Sequence, residues 1–279
     1  MPEGSTVSKP TPAEIGNAYD TSADLLDQVW GENLHHGYWV DASDDATLTE
    51  AGNRLTDRLA DMLAIKPGSR LLDIGCGVGQ PAIRLGTAHD VEVVGVSIAQ
   101  GQVRRANERA AAAGLADRLS FQHGDAMDLP FPDESFDLVW ALESLHHMPD
   151  RWHVISQAAR ILKPGGRMAI GDFLLREEEG TEADAASVDL VRMGVLKLVS
   201  IEDYQDKLRE AGLVPDGAED VSDHTRPSWG KAAELFEAAR EVAEQHIGVE
   251  QLNLTISRFH QLSAAPMVGY VLLTAHKPA

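Results

Sequence analysis

Leu71-Leu72-Asp73-Ile74-Gly75-Cys76-Gly77-Val78-Gly79-Gln80 places three glycines at alternate positions directly behind an apolar run. The run reads as a buried strand and the residues after Gly79 carry helical spacing, so the glycines form a strand-to-helix turn. Without Cβ atoms such a turn lets backbone N–H groups approach a ligand closely, at the positive end of a helix. The spacing is Gly-x-Gly-x-Gly. A dinucleotide fingerprint would be Gly-x-Gly-x-x-Gly with an acid about 20 residues further on, so pyrophosphate is not the expected guest and a nucleotide-binding oxidoreductase is disfavoured.

Outward from this turn the chain alternates β-branched runs with helical segments. Arg70–Ile74, Val91–Ser97, Leu119–Gly124, Phe136–Leu142, Arg167–Leu175 and Val268–His276 read as strands. Gly101–Ala113 and Arg151–Leu162 carry apolar residues at helical spacing. That order defines an α/β fold with a doubly wound, mostly parallel sheet. Lys66-Pro67-Gly68 and Lys163-Pro164-Gly165-Gly166 are expected as turns into strands. The expected division is an N-terminal helical lead at 1–64, a ligand-binding core at 65–175, a cap segment at 176–200, and a C-terminal part of the core at 201–279. This last part carries a helical insertion at about Trp229–Gln261. The lead and insertions are the material that can roof the carboxyl edge of the sheet, where open α/β folds bind ligands; ornament or a dimer surface is an equal alternative.

Composition narrows the partners. The 279 residues are 43% hydrophobic, enough for a full core, and the net charge of −20 repels phosphate backbones and anionic lipid. Nucleic acid and membrane are therefore not expected partners; a small molecule is. The polar start MPEGSTVSKPTP has no signal-peptide core, and a single cysteine, Cys76, fits a reducing cytoplasm. A homo-oligomer is left open.

Asp73-Ile74-Gly75-Cys76-Gly77-Val78-Gly79 resembles motif I of the class I S-adenosylmethionine-dependent methyltransferases. Gly124-Asp125-Ala126 is similar to that family's adenine-edge motif, and Leu162-Lys163-Pro164-Gly165-Gly166 to its turn before the fifth strand. Trp30-Gly31-Glu32-Asn33-Leu34-His35-His36-Gly37-Tyr38-Trp39 and Trp140–Asp150 resemble natural-product O-methyltransferases of actinobacterial antibiotic pathways. The rebeccamycin-type sugar O-methyltransferases are the nearest, and the erythromycin and rifamycin ones looser. The resemblance implies a seven-stranded Rossmann-like fold, S-adenosylmethionine as cofactor, no metal, and transfer to a hydroxyl, one on the sugar of a glycosylated antibiotic in the nearest group. N- or C-methyl transfer and an inactive cofactor-binding protein are the alternatives.

On the same resemblance the cofactor-binding candidates are Asp73, Gly75, Gly77, Gly79, Asp125, Ala126 and Leu142. Most of the superfamily ends its second strand in an acid that holds the ribose. Here that strand ends in Ser97, and Ser97 with Gln102 matches the Ser/Thr…Gln pattern of this subgroup. A helix cap and a solvated amide would be the plainer explanation. Tyr19, His36, Tyr38 and Trp39 would bring aromatic rings over the cofactor's charged end, or pack the lead onto the sheet.

His146 and His147 stand after the fourth strand, and Asp172 ends the fifth. Adjacent histidines with no third ligand at metal spacing make a poor metal site. A hydroxyl acceptor must lose its proton, and a positioned imidazole contributes typically ~10²–10⁴-fold as general base. Asp172 could fix the imidazole's tautomer. In the resembling enzymes the matching His pair and Asp are the proposed catalytic residues; neighbours on an irregular loop seldom point the same way, so one histidine is expected to work and the other to pack. His147 is the favoured base, because looser relatives keep a histidine there.

Overall fold

The computed structural model describes residue 29 and residues 33–176 and 198–279. Thr47 opens the first described helix, α1 (Leu48–Leu63), through a capping box with Glu50, each side chain meeting the other's backbone N–H. Leu48, Ala51, Leu55, Leu59 and Leu63 form its buried stripe. Ala64, in a left-handed conformation, ends the helix ahead of Pro67 and the first strand.

The core alternates β1 (Ser69–Ile74), α2 (Gln80–Ala88), β2 (Val91–Ser97), α3 (Gln100–Ala112), β3 (Leu119–His123), β4 (Phe136–Leu142), α4 (Arg151–Ile161) and β5 (Leu162–Leu175). Next come α5 (Ile201–Glu210), β6 (Val214–Asp220), α6 (Ser222–Thr225), α7 (Pro227–Ala238), α8 (Arg240–Ile247), α9 (Val249–Ala264) and β7 (Val268–His276). The seven strands lie in the order β3-β2-β1-β4-β5-β7-β6. All neighbours through β5 are parallel, and β7 runs antiparallel to both β5 and β6. Successive residues of a strand face opposite sides, so Leu71 joins the core with Leu55, Leu59 and Trp140 while Leu72 joins Val94, Val139 and Ile155 on the other face. Two covered faces explain why the inner strands are apolar throughout rather than alternating.

Chain order reverses between β1 and β4, and the crevice beyond their carboxyl ends is the place such a sheet offers a ligand. Both following turns are tied together there: the Ser144 hydroxyl donates to the Ile74 carbonyl at 2.6 Å.

Two expectations differ from the structure. Lys163-Pro164-Gly165-Gly166 is not a separate turn; it bulges inside β5, where the pairing with β4 shifts between Phe136↔Leu162 and Leu138↔Arg167. The Gly165 N–H bonds the Lys277 carbonyl, and the Lys277 N–H bonds that of Gly166, so the C-terminal tail holds the bulge. The strand β6 was not expected. Its sequence, VPDGAED, has Pro and Gly inside it and alternates only exposed with half-buried positions, as an edge strand does. The expected insertion is three successive helices, α7 to α9. The cap segment lies outside the described residues except at its ends. No described helix is long and apolar enough to cross a membrane.

Candidate active site

Three glycines follow β1, and the structure gives them different tasks. Gly75 has φ +76°, and a Cβ there would come within 2.4 Å of Ser144 Cβ, so glycine is required for the close approach of the two turns. Gly79 sits at φ +80° against Ala106 and Phe121, each 2.9 Å from a would-be Cβ. It serves helix packing and is not among the residues lining the cavity described next. Gly77, at φ +53°, has no protein atom within 4 Å of that position. Its open side faces the cavity.

The cavity runs along the carboxyl edge and is lined by Asp73, Gly75, Gly77, Ser97, Gln102, Asp125, Ala126 and Leu142, all expected for cofactor binding. Leu34, His35, Glu143, Ser144 and His147 complete the wall nearest β4. The Ser97 hydroxyl donates to Gln102 Oε1 at 2.9 Å and accepts the Ala99 N–H at 3.2 Å, so this buried pair serves a local turn and faces the cavity together. Asp125 Oδ1 accepts the Met127 N–H at 2.9 Å, which holds the carboxylate at the mouth. Burial pushes the Asp73 carboxyl up to about 7; the nearby Trp140 indole opposes this only from outside hydrogen-bonding geometry.

Tyr19 lies outside the described residues. Tyr38 and Trp39 do not reach the cavity. Tyr38 stacks on His224 at 4.4 Å under the Arg58 guanidinium, and the Trp39 indole donates to the Ala46 carbonyl in a small cluster with Leu48 and Ala51. The packing alternative holds for both. His36 is one shell back. Its backbone N–H and Nδ1 meet the two Glu143 carboxylate oxygens at 2.7 and 3.1 Å, and Phe173 and Trp229 cross its ring edge-on.

Glu143 was missed at the level of sequence. It follows β4 at φ +47°, an uncommon conformation for a side-chain-bearing residue and one that recurs at functional sites. Burial alone would raise its carboxyl, but His36, His35 and the hydrogen bonds from His36 outweigh that and bring it to about 2. The cavity therefore carries a fixed negative charge beside Ser144. His36 Nε2 is buried without a hydrogen-bond partner. Only the glutamate's place directly after an apolar strand could have signalled this.

A 3₁₀ turn, Leu145–His147, separates the two histidines. His146 is buried and its Nδ1 lies 2.6 Å from Asp172 Oδ1. His147 is exposed and lines the cavity, with its ring 3.8 Å from that of His146. Asp172, wholly buried, thus meets His146 and not the favoured His147; the two rings lie against each other, His146 on the buried side and His147 on the cavity side. Among the described residues no group of three or more His, Cys, Asp or Glu is arranged to hold a metal.

Residues 72–170 match the model of a methyltransferase domain. The chain is 63% identical to 27-O-demethylrifamycin SV methyltransferase of Amycolatopsis mediterranei over 98% of its own length and 100% of that protein's. It belongs to the class I S-adenosylmethionine-dependent methyltransferases, and S-adenosylmethionine is its cofactor. Methyltransferase GfsG of Streptomyces halstedii is 39% identical, with 95% of this chain and 94% of that one covered. Among solved structures the [4+2]-cyclase SpnF superposes with a TM-score of 0.85 at 33% identity, covering 99% and 100% of the two chains. The rifamycin-series enzyme, expected as a looser relative, is thus a near one.

The residues fit the cofactor on structural grounds: Gly77 leaves open the space a Cβ would fill, and Ser97 and Gln102 present paired hydrogen-bonding groups at the cavity wall. Asp73 lines the same cavity, and its raised carboxyl is expected to make cofactor binding pH-dependent. The ligand's net positive charge favours the ionised carboxylate, so binding releases a proton near the point where Asp73 titrates, about pH 7. Affinity for S-adenosylmethionine should fall as pH drops from 8 to 6, and calorimetry in buffers of different ionisation heat should read proton release. Asp73→Asn should remove that release. Proton uptake, or none, would contradict this role.

Proposed function

We propose that this methyltransferase transfers the methyl group to a hydroxyl of a natural product, with the His146–Asp172 pair taking the hydroxyl's proton. The names of the relatives, a rifamycin-series enzyme foremost, support natural-product O-methylation. The base rests on one observation, the 2.6 Å contact between His146 Nδ1 and the buried Asp172 carboxylate. When bound, S-adenosylmethionine supplies a methyl group already activated on a sulfonium, which leaves the protein to position the acceptor and receive a proton. Asp172 engages Nδ1 and orients the ring, leaving Nε2 to accept the proton. Burial alone would raise the Asp172 carboxyl; His146, Tyr204 and Arg151 outweigh it and hold the group below the ordinary range, so it stays the anionic partner. His147, tilted against the His146 ring at the cavity, forms the wall along which the acceptor enters.

The acceptor we favour is a hydroxyl of a rifamycin-type compound, on the strength of the 63% identical relative. A sugar hydroxyl of a glycosylated antibiotic is the competing acceptor, and N- or C-methylation would need the pair for orientation only. Incubation with S-adenosylmethionine and, separately, 27-O-demethylrifamycin SV, a glycosylated macrolide and an aromatic amine should give S-adenosylhomocysteine only with hydroxylated acceptors, fastest with the first. Turnover confined to the amine would overturn the proposal. The structural likeness to a [4+2]-cyclase favours a second reading, a cofactor-binding protein whose pocket does other chemistry. No S-adenosylhomocysteine from any acceptor would support it.

A further inference from the structure

The cavity along the carboxyl edge is one-sided in charge. Asp73, Asp125 and Glu143 line it, and among its described lining residues there is no lysine or arginine. The three carboxylates differ in setting. Asp125 follows β3 and is partly exposed at the mouth, where solvent screens it. Asp73 titrates at about 7, so near that pH it is divided between charged and neutral forms. Glu143 follows β4 with its side chain only 9% exposed, and at about 2 it is fully ionised across the neutral range.

Glu143 is fixed in place by the lead. The His36 N–H and ring Nδ1 take one carboxylate oxygen each, at 2.7 and 3.1 Å. The segment that brings them is itself anchored: the Gly37 N–H donates to the Ser228 hydroxyl at 2.9 Å, and the His35 ring spans the His36 carbonyl and the Thr56 hydroxyl. The His35 nitrogen that meets a carbonyl must carry hydrogen, which leaves the other to accept from Thr56. Burial lowers the pKa of this ring, so His35 lines the cavity beside the carboxylate without a charge of its own.

We propose that Glu143 is a specificity-determining residue that makes the site favour the methyl-bearing cofactor over the spent one. The two differ by a methyl group and one positive charge: the sulfonium of S-adenosylmethionine becomes the neutral thioether of S-adenosylhomocysteine. The nucleoside and amino-acid parts are common to both, so contacts to those parts give no discrimination. The two sides of the cavity match the two halves of the cofactor. Ser97 and Gln102, beyond β2, offer neutral hydrogen-bonding groups suited to a nucleoside, and Glu143, beyond β4 on the other side of β1, offers the charge. Charge attraction across a confined cavity reaches further than a hydrogen bond, so the carboxylate acts without touching sulfur. This role is independent of the acceptor and of which group takes its proton.

The test is calorimetry of three ligands on one protein: S-adenosylmethionine, S-adenosylhomocysteine, and sinefungin, which carries a protonated amine where the methyl-sulfonium stands and transfers nothing. Glu143→Gln should weaken S-adenosylmethionine and sinefungin by about tenfold or more, the effect of one charge within roughly 10 Å, and S-adenosylhomocysteine by less than about twofold. Glu143→Asp keeps the charge and suits the left-handed backbone at φ +47°, so it should retain most of the preference for the cationic pair. Glu143→Asn is neutral and equally suited to that backbone, and it carries the test if the glutamine variant does not fold. Equal weakening of all three ligands is what a residue that only anchors His36 and the lead would give, and it would overturn the proposal. Unchanged affinities, or a loss confined to S-adenosylmethionine with sinefungin unaffected, would overturn it as well.

Discussion

Alanine at His146 should lower kcat by about 10²–10³-fold while leaving S-adenosylmethionine affinity nearly unchanged, the signature of an interaction made in the transition state. The ring is held by Asp172 at 2.6 Å and is not among the residues that line the cavity, so cofactor affinity should change little with its loss. Asp172→Asn should act in the same direction, since it removes the anion that orients the ring and compensates its cation. A double variant should cost little more than the worse single one, because the two residues act as a unit. His147→Ala should cost less than about tenfold in kcat and appear mainly in the KM of the acceptor, as befits a wall residue. If His147→Ala instead loses the larger factor, the base is the exposed histidine and Asp172 serves only to pack its neighbour.

The second large effect is at Gly77. Valine there should weaken S-adenosylmethionine binding at least about 100-fold, roughly 3 kcal/mol, because a Cβ there meets no protein atom within 4 Å and Gly77 lines the cavity. The left-handed backbone adds a stability cost of roughly 1–2 kcal/mol for a residue with a Cβ, small enough for the fold to survive. Gly79→Ala should behave differently: its methyl would strike Ala106 and Phe121, so melting temperature should fall more than affinity. Calorimetry and thermal melts on the two variants separate a ligand-facing glycine from a packing one. Affinity retained in a folded Gly77→Val protein would remove this loop from the cofactor site.

The contrast between these glycines shows how far sequence reaches. Spacing marked all three as one loop, and the loop's place after a buried strand was legible because both neighbours of β1 are inner strands with continuous apolar runs. Which glycine faces a ligand depends on Ser144 and Phe121, residues distant in the chain, and no local pattern encodes that. The edge strand β6 was illegible for the opposite reason: with one side in solvent and Pro215 and Gly217 inside it, it has no apolar rhythm to read. Tyr38 and Trp39 stood between the cofactor's charged end, on the family resemblance, and packing of the lead; their partners, His224 and Ala46, draw them into packing. Glu143 was passed over because a lone acid after a strand has many uses, and only its two bonds from His36 single it out. Sequence singled out the histidine pair and favoured His147, but which ring Asp172 meets is set by the three-residue turn that carries both, and Asp172 meets His146.

The destination of the methyl group is the decisive readout. With S-adenosylmethionine carrying a CD₃ methyl and 27-O-demethylrifamycin SV as acceptor, mass spectrometry and NMR of the product should place the label on a single oxygen, with one equivalent of S-adenosylhomocysteine formed and the rate lowered in step by His146→Ala and Asp172→Asn. Label on carbon, or transfer to a hydroxyl at an undiminished rate in both variants, would contradict it.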